Sequence, residues 1–170
     1  MSNAAVYSSL KKISSAYRAT LHDIPDADFQ LTPSIGGWSY SEVYCHIFDS
    51  SLLSLIALQN CIIGKGKHKP TALAVKLILL YGSLPPMIKY KVPKFLEPRV
   101  IKISKEKAEE FIGRFMIQLE ANYKTIDHAD PNIKNKHPRL GYLNADQWLR
   151  FIEIHLKHHL KQLKRIEKSF

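Results

Sequence analysis

An all-α fold, a four-helix bundle with an elaborated connection between the second and third long helices, is predicted by three features of this sequence. Seven glycines are spread over 170 residues, too few for a turn-rich sheet. Hydrophobic residues make up 45 % of the chain, enough to fold around a core. Four long stretches repeat apolar side chains at three- and four-residue steps, the period of a helix with one buried stripe. The length suits one domain, expected over residues 1–170.

The first helix is expected from about Ala5 to His22. Val6, Leu10, Ile13, Tyr17 and Leu21 form its stripe, and Pro25 stops it because a proline ring donates no amide hydrogen and clashes with the preceding turn. After a loop through Pro33 to Gly37, Ser39 and Glu42 make a capping box, each side chain satisfying the other's free backbone amide. The second helix then runs through Val43, His46, Ile47 and Leu53 towards Ile63, and the Gly64 to Pro70 stretch ends it.

Thr71 to Tyr81 reads as a short buried helix. Leu84 to Val100, with Pro85, Pro86, Pro93 and Pro98, reads as an irregular excursion of the kind that often carries function. The third long helix is expected from Ser104 to about Ile126, with Phe111, Phe115, Leu119 and Tyr123 inward. Asp127 to Leu143 is polar, holds Pro131 and Pro138, and reads as loop. Asn144 and Gln147 form a second capping box for a last helix reaching about Lys168.

The chemistry concentrates on that last helix. Trp148, Ile152, His155, His159, Leu163 and Ile166 follow helical steps and share one inward face. One turn apart, His155 and His159 can aim ring nitrogens at a common point, as a helical pair of metal ligands must. An inward histidine is more often a hydrogen-bonded core residue, so the pair alone is only suggestive. His46 adds a third imidazole, on the same side of its helix as Val43, Ile47 and Ser50. Burying three imidazoles without partners is costly, whereas a shared ion satisfies all of them and keeps one coordination position open.

Trp38-Ser39, Glu42 and His46, followed by His155 and His159, together resemble the DinB-like (YfiT-related) superfamily of metal-binding four-helix bundles. His137 to Leu163 looks like an uncharacterised branch of it, whereas residues from Lys65 to Lys102 match nothing in its pattern. The resemblance implies a divalent metal ion, zinc or nickel foremost, held by His46, His155 and His159. It also implies chemistry of a hydrolase-like or thiol-dependent transferase kind, although many members have no assigned reaction. A non-catalytic metal- or ligand-binding bundle is the alternative.

Other residues have weaker claims. His158 lies three positions after His155 but is offset towards the helix flank, which favours a surface or supporting role. Glu42 and Asp49 stand four before and three after His46, and Gln162 three after His159, so each can reach a ligand's second ring hydrogen. For Glu42 the capping box is the better explanation. His22, His68, His128 and His137 fall in or beside loops and receive no role. Tyr142 and Trp148 are expected in the core.

Twenty-five Lys and Arg against 15 Asp and Glu give a net charge of +10. The basic residues are scattered and no aromatic-basic RNA-binding motif accompanies them, so nucleic acid is not an expected partner. A small anionic substrate would suit this charge. Cys45 and Cys61 lie some 24 Å apart along one expected helix, too far to bridge, and read as small core hydrophobes. The N-terminus lacks the pattern of a secretory signal and the most apolar stretch is too short to cross a bilayer. A cytoplasmic protein without a membrane partner is therefore expected. A homodimer through an exposed helix face fits such a bundle, although no residue specifies it.

Overall fold

A computed structural model of the chain describes residues 1–84, 94 and 96–170. Four long helices, α1 (Asn3–Asp23), α3 (Tyr40–Ile62), α5 (Lys105–Tyr123) and α6 (Ala145–Glu167), build the bundle, with the short α2 (Asp26–Phe29) and α4 (Leu73–Tyr81) between them. Both α1 and α3 pack against α5 and α6, so α1 and α3 stand on one diagonal and α5 and α6 on the other. Two tyrosines tie the bundle together: Tyr44 donates across the α1–α3 diagonal to the Tyr17 carbonyl at 2.7 Å, and Tyr17 donates to the Leu156 carbonyl of α6 at 2.8 Å. Burial raises both phenols above their ordinary range, which keeps them neutral donors.

Helix boundaries follow the sequence chemistry closely. The α1 stripe of Val6, Leu10, Ile13, Tyr17 and Leu21 is buried. The Ser39–Glu42 and Asn144–Gln147 capping boxes both form, fixing where α3 and α6 begin. Ser104 caps α5, but that helix is turned slightly from the expected stripe: Ala108, Ile112, Phe115, Leu119 and Asn122 are buried. Phe111 lies instead under the Lys107 and Arg114 cations, and Tyr123 stacks on Tyr7 at 3.9 Å, both at the edge of the core.

Two expectations need correction. Asp127 to Leu143 is no simple loop: β2 (Ile133–His137) and β3 (Gly141–Leu143) form an antiparallel hairpin, extended on the other side by β1 (Lys67–His68). Gly141 enters β3 at φ 75°, a conformation that costs glycine little, and this lets the Pro138 turn close into a ladder. Asn135 pins the hairpin to the end of α3 by donating to the Lys65 carbonyl at 2.8 Å. The second correction concerns α4, which buries only Val75 and Leu79 and leaves Leu73, Leu77, Leu80 and Tyr81 exposed. In addition, α2 is a single turn after Pro25 that buries Phe29, in a stretch for which no element was expected. Of the proline-rich excursion, Pro85, Pro86 and Pro93 lie outside the described residues, while Pro98 belongs to a short 3-10 turn, Glu97–Arg99.

The two cysteines are free and buried, as expected of core residues. Cys61 accepts from Asn135 and approaches the Leu143 carbonyl, joining α3 to the hairpin.

Candidate metal centre

The site arises from the antiparallel pairing of α3 and α6. Tyr40 at the start of α3 stacks with Phe170 beyond the end of α6 at 5.7 Å, and Cys61 at the other end of α3 meets Leu143 just before α6. This register sets His46, two turns into α3, opposite the middle of α6. Its ring centroid lies 5.4 Å from that of His155 and 5.0 Å from that of His159. One ligand atom from each of the three rings falls within 4.8 Å of the others.

Two ring nitrogens face each other directly: His155 Nε2 and His159 Nε2 are 3.1 Å apart. On the far side of its ring, His159 Nδ1 lies 2.7 Å from Gln162 Oε1. An amide oxygen only accepts, so Nδ1 carries the proton and, in the neutral ring, Nε2 presents a lone pair towards His155 and His46. This is the tautomer a metal ligand needs, held by a hydrogen bond from behind.

Burial keeps the rings neutral. It lowers His46 to about 4, against an opposing pull from Asp49. His159 falls to about 3 through burial, reinforced by His46 and His158. His155 is pushed well below its ordinary value by burial and then by the neighbouring imidazoles. The donor set therefore fits a borderline divalent cation: three neutral imidazoles whose ligand atoms lie within 4.8 Å of one another, with the His155 and His159 nitrogens, 3.1 Å apart, close to the roughly 3.3 Å that tetrahedral zinc–nitrogen bonds impose.

Aromatic rings wall the centre. Trp38 lies 4.9 Å from His46 and nearly parallel to His159 at 6.4 Å, while Phe151 stacks on His155 at 5.3 Å. The carboxylates near His46 in sequence are engaged elsewhere. Glu42 accepts from both the backbone amide and the hydroxyl of Ser39, completing the capping box. Asp49 forms a two-bond fork with Arg99, at 2.7 and 2.6 Å. Of the three candidate supporting residues, only Gln162 reaches a ligand ring. His158 lies beside His159, with ring centroids 5.1 Å apart, but outside the three-ring cluster.

One residue given no role by its sequence position is His137. It sits at the end of β2 with its ring 4.4 Å from Phe151 and 5.3 Å from Trp148. Its Nδ1 accepts from the backbone amides of Arg139 and Leu140 at 3.1 and 3.0 Å, which closes the hairpin turn and leaves the proton on Nε2. Burial lowers it to about 4, helped by Arg139. The signal was present in His137-Pro138, a side-chain acceptor opening a turn, but only the hairpin carries that ring to the wall beside Phe151.

Comparison with known proteins places these features in a lineage. The profile of the DinB superfamily matches residues 9–163, which include all three histidines. YuaE of Bacillus subtilis (strain 168), an uncharacterised protein, is 26 % identical over 153 residues, covering 88 % of this chain and 89 % of the relative. Among solved structures, the four-helix bundle protein TT2238 superposes with a TM-score of 0.64 at 19 % identity, covering 96 % of this chain and 99 % of that one. YfiT from Bacillus subtilis, described as "a probable metal-dependent hydrolase with an unusual four-helix bundle topology", superposes with a TM-score of 0.66 at 12 % identity, covering 99 % and 89 % respectively.

Proposed function

The chain belongs to the DinB superfamily, and on that premise we propose that it is a divalent-metal-dependent enzyme acting on a small molecule, as a hydrolase or a thiol-dependent transferase. The observation that carries this reading is the lone pair of His159 Nε2, fixed by Gln162 and aimed at a point shared with His155 and His46. The description of YfiT as a metal-dependent hydrolase supports the same direction.

His46, His155 and His159 hold the ion, with zinc and nickel the metals that best suit three imidazoles. Bound there, the ion supplies Lewis acidity, lowering the pKa of a water or thiol at its open position. The protein's own contribution is to keep the ligands neutral, to fix the His159 ring through Gln162, and to exclude bulk water with Trp38 and Phe151. All three ligands are uncharged, and the Asp49 carboxylate whose field reaches His46 is shared with Arg99, so the ion would keep a net positive charge. The Arg165 cation lies close enough to depress His158 and His159, and Lys161 close enough to depress His158. These features favour an anionic substrate.

A non-catalytic metal-binding bundle is the second reading. It draws on one observation: neither carboxylate near His46 is free to act as a general base. Metal analysis of the purified protein, together with a screen of thiol transfer and ester or amide hydrolysis, separates the cases. Stoichiometric metal with turnover that His46→Ala abolishes is the expected result. Metal without any turnover would favour the second reading, and no metal retained or taken up would overturn both.

A further inference from the structure

Helix α4 presents the opposite of an ordinary surface helix. Its best-spaced apolar stripe, Leu73, Leu77, Leu80 and Tyr81, points outward, with Leu73, Leu80 and Tyr81 each more than 70 % exposed. Only one charged residue, Lys76, lies within the helix, and it sits on that outer side. The helix is nonetheless held firmly. Thr71 donates to the Tyr142 carbonyl at 2.8 Å at one end, and Arg150 donates to the Leu79 carbonyl at 3.0 Å at the other. Gly82 ends it at φ 74°, where any Cβ would overlap the Arg150 guanidinium. An apolar face is thus fixed outward rather than left unpacked, and exposed patches of this kind mark interaction surfaces.

Along the chain, the charge on either side of it is one-sided, although Asp146 lies near Leu80 at the end of the helix. No aspartate or glutamate occurs from position 50 to position 96, whereas that stretch holds seven lysines. Lys65, Lys67 and Lys69 precede the helix and are exposed, as is Lys76. Lys67 pairs across the sheet with a further cation, Lys134. We propose that the outer face of α4, flanked by these lysines, docks on an anionic lipid membrane, so that the protein associates with the bilayer surface without crossing it.

The chemistry favours this occupant over others. A second copy meeting the same face would set lysine against lysine with no carboxylate in the segment to compensate. A lipid surface instead accepts the leucines among its acyl chains, seats Tyr81 at the headgroup level and satisfies the lysines with phosphate or carboxylate groups. This departs from the expectation of no membrane partner, which rested on the lack of a stretch long enough to cross a bilayer. At nine residues, α4 spans only about 13 Å and suits lying in the interface.

The test is co-sedimentation of the full chain with phosphatidylcholine vesicles that carry, or lack, roughly 30 % phosphatidylserine. Binding is expected on the anionic vesicles alone, and it should fall at least tenfold between about 0.1 and 0.5 M salt. Leu73→Ser/Leu80→Ser should weaken it about tenfold or more without lowering the melting temperature. Lys67→Gln/Lys69→Gln/Lys76→Gln should do the same through charge, and serves as the second probe. The proposal is overturned if the anionic vesicles leave the protein in the supernatant, or if the leucine variant binds undiminished. It is equally overturned if that variant loses thermal stability, which would mean the chain itself covers the face. Lipid-free self-association that the variant abolishes would assign the face to a second copy instead.

Discussion

Gln162 and His159 form a pair in which one hydrogen bond decides the chemistry of a ring: the 2.7 Å contact to Nδ1 leaves Nε2 unprotonated and pointed at His155. Replacing Gln162 with Leu removes the acceptor and frees His159 to adopt the other tautomer. Metal affinity is expected to fall about 10- to 100-fold, the usual cost of losing a partner behind a ligand histidine. Competition titration against a chelating dye measures it, and circular dichroism should show an unchanged helix content.

Metal should stabilise the fold through His46. At a free metal concentration 100 times the dissociation constant, linkage adds about 2.7 kcal/mol. Chelation should lower the melting temperature of the wild-type protein, whereas His46→Ala should melt at the same temperature with and without metal. An equal metal-dependent shift in the variant would show that His46 is not a ligand.

Acid should destabilise the metal-free protein, in part through His137. Its folded value of about 4 lies below the ordinary 6.5, so between these values the unfolded chain binds the proton that the folded ring refuses. This contribution is complete above pH 6.5 and is lost as pH falls towards 4. It amounts to roughly 2 kcal/mol, less than the full shift implies because the ring is not wholly sealed from water. His137→Asn keeps an acceptor for the Arg139 and Leu140 amides but does not titrate. Urea unfolding across this range should give a visibly shallower pH slope for the variant.

Glu153 is fully buried in α6 between Arg150 and Lys157, with Lys157 Nζ at 2.6 Å. Arg150→Met removes one partner and strips Leu79 of its donor, and should cost about 3–5 kcal/mol. The double variant Arg150→Met/Glu153→Leu should recover part of that loss, because no charge is then left buried with too few partners. Denaturant unfolding of the two variants provides the comparison.

Ser39→Ala should cost about 1–2 kcal/mol, since it opens the α3 capping box and leaves the Glu42 carboxylate without its hydroxyl donor. For a chain of this length that corresponds to a fall of roughly 3–6 °C in melting temperature.

Local features of the sequence were sufficient for the four long helices, both capping boxes, the α1 stripe and the inward placement of the last helix's histidines. Each depends on side chains within about one turn of each other, and such patterns survive in almost any packing. The α5 stripe and the orientation of α4 were misread for the complementary reason. Periodicity shows that a helix has an apolar face but not which way neighbours turn it; only α6 and Arg150 settle that Val75 and Leu79 point in and Leu73 and Leu80 point out. The hairpin was equally hidden, because β1 and β2 pair across more than sixty residues and the turn residues Pro138 and Gly141 look like loop until that pairing is made. The candidate centre divides along the same line. The i,i+4 spacing of His155 and His159 is written into one helix. The support of His159 by Gln162 is equally local, an i,i+3 pair, whereas the meeting of His46 with the two histidines required α3 and α6 to pack antiparallel, the engagement of Asp49 by Arg99 required a contact fifty residues along the chain, and the approach of His137 required the hairpin. Long-range contact, rather than local propensity, brings those rings together.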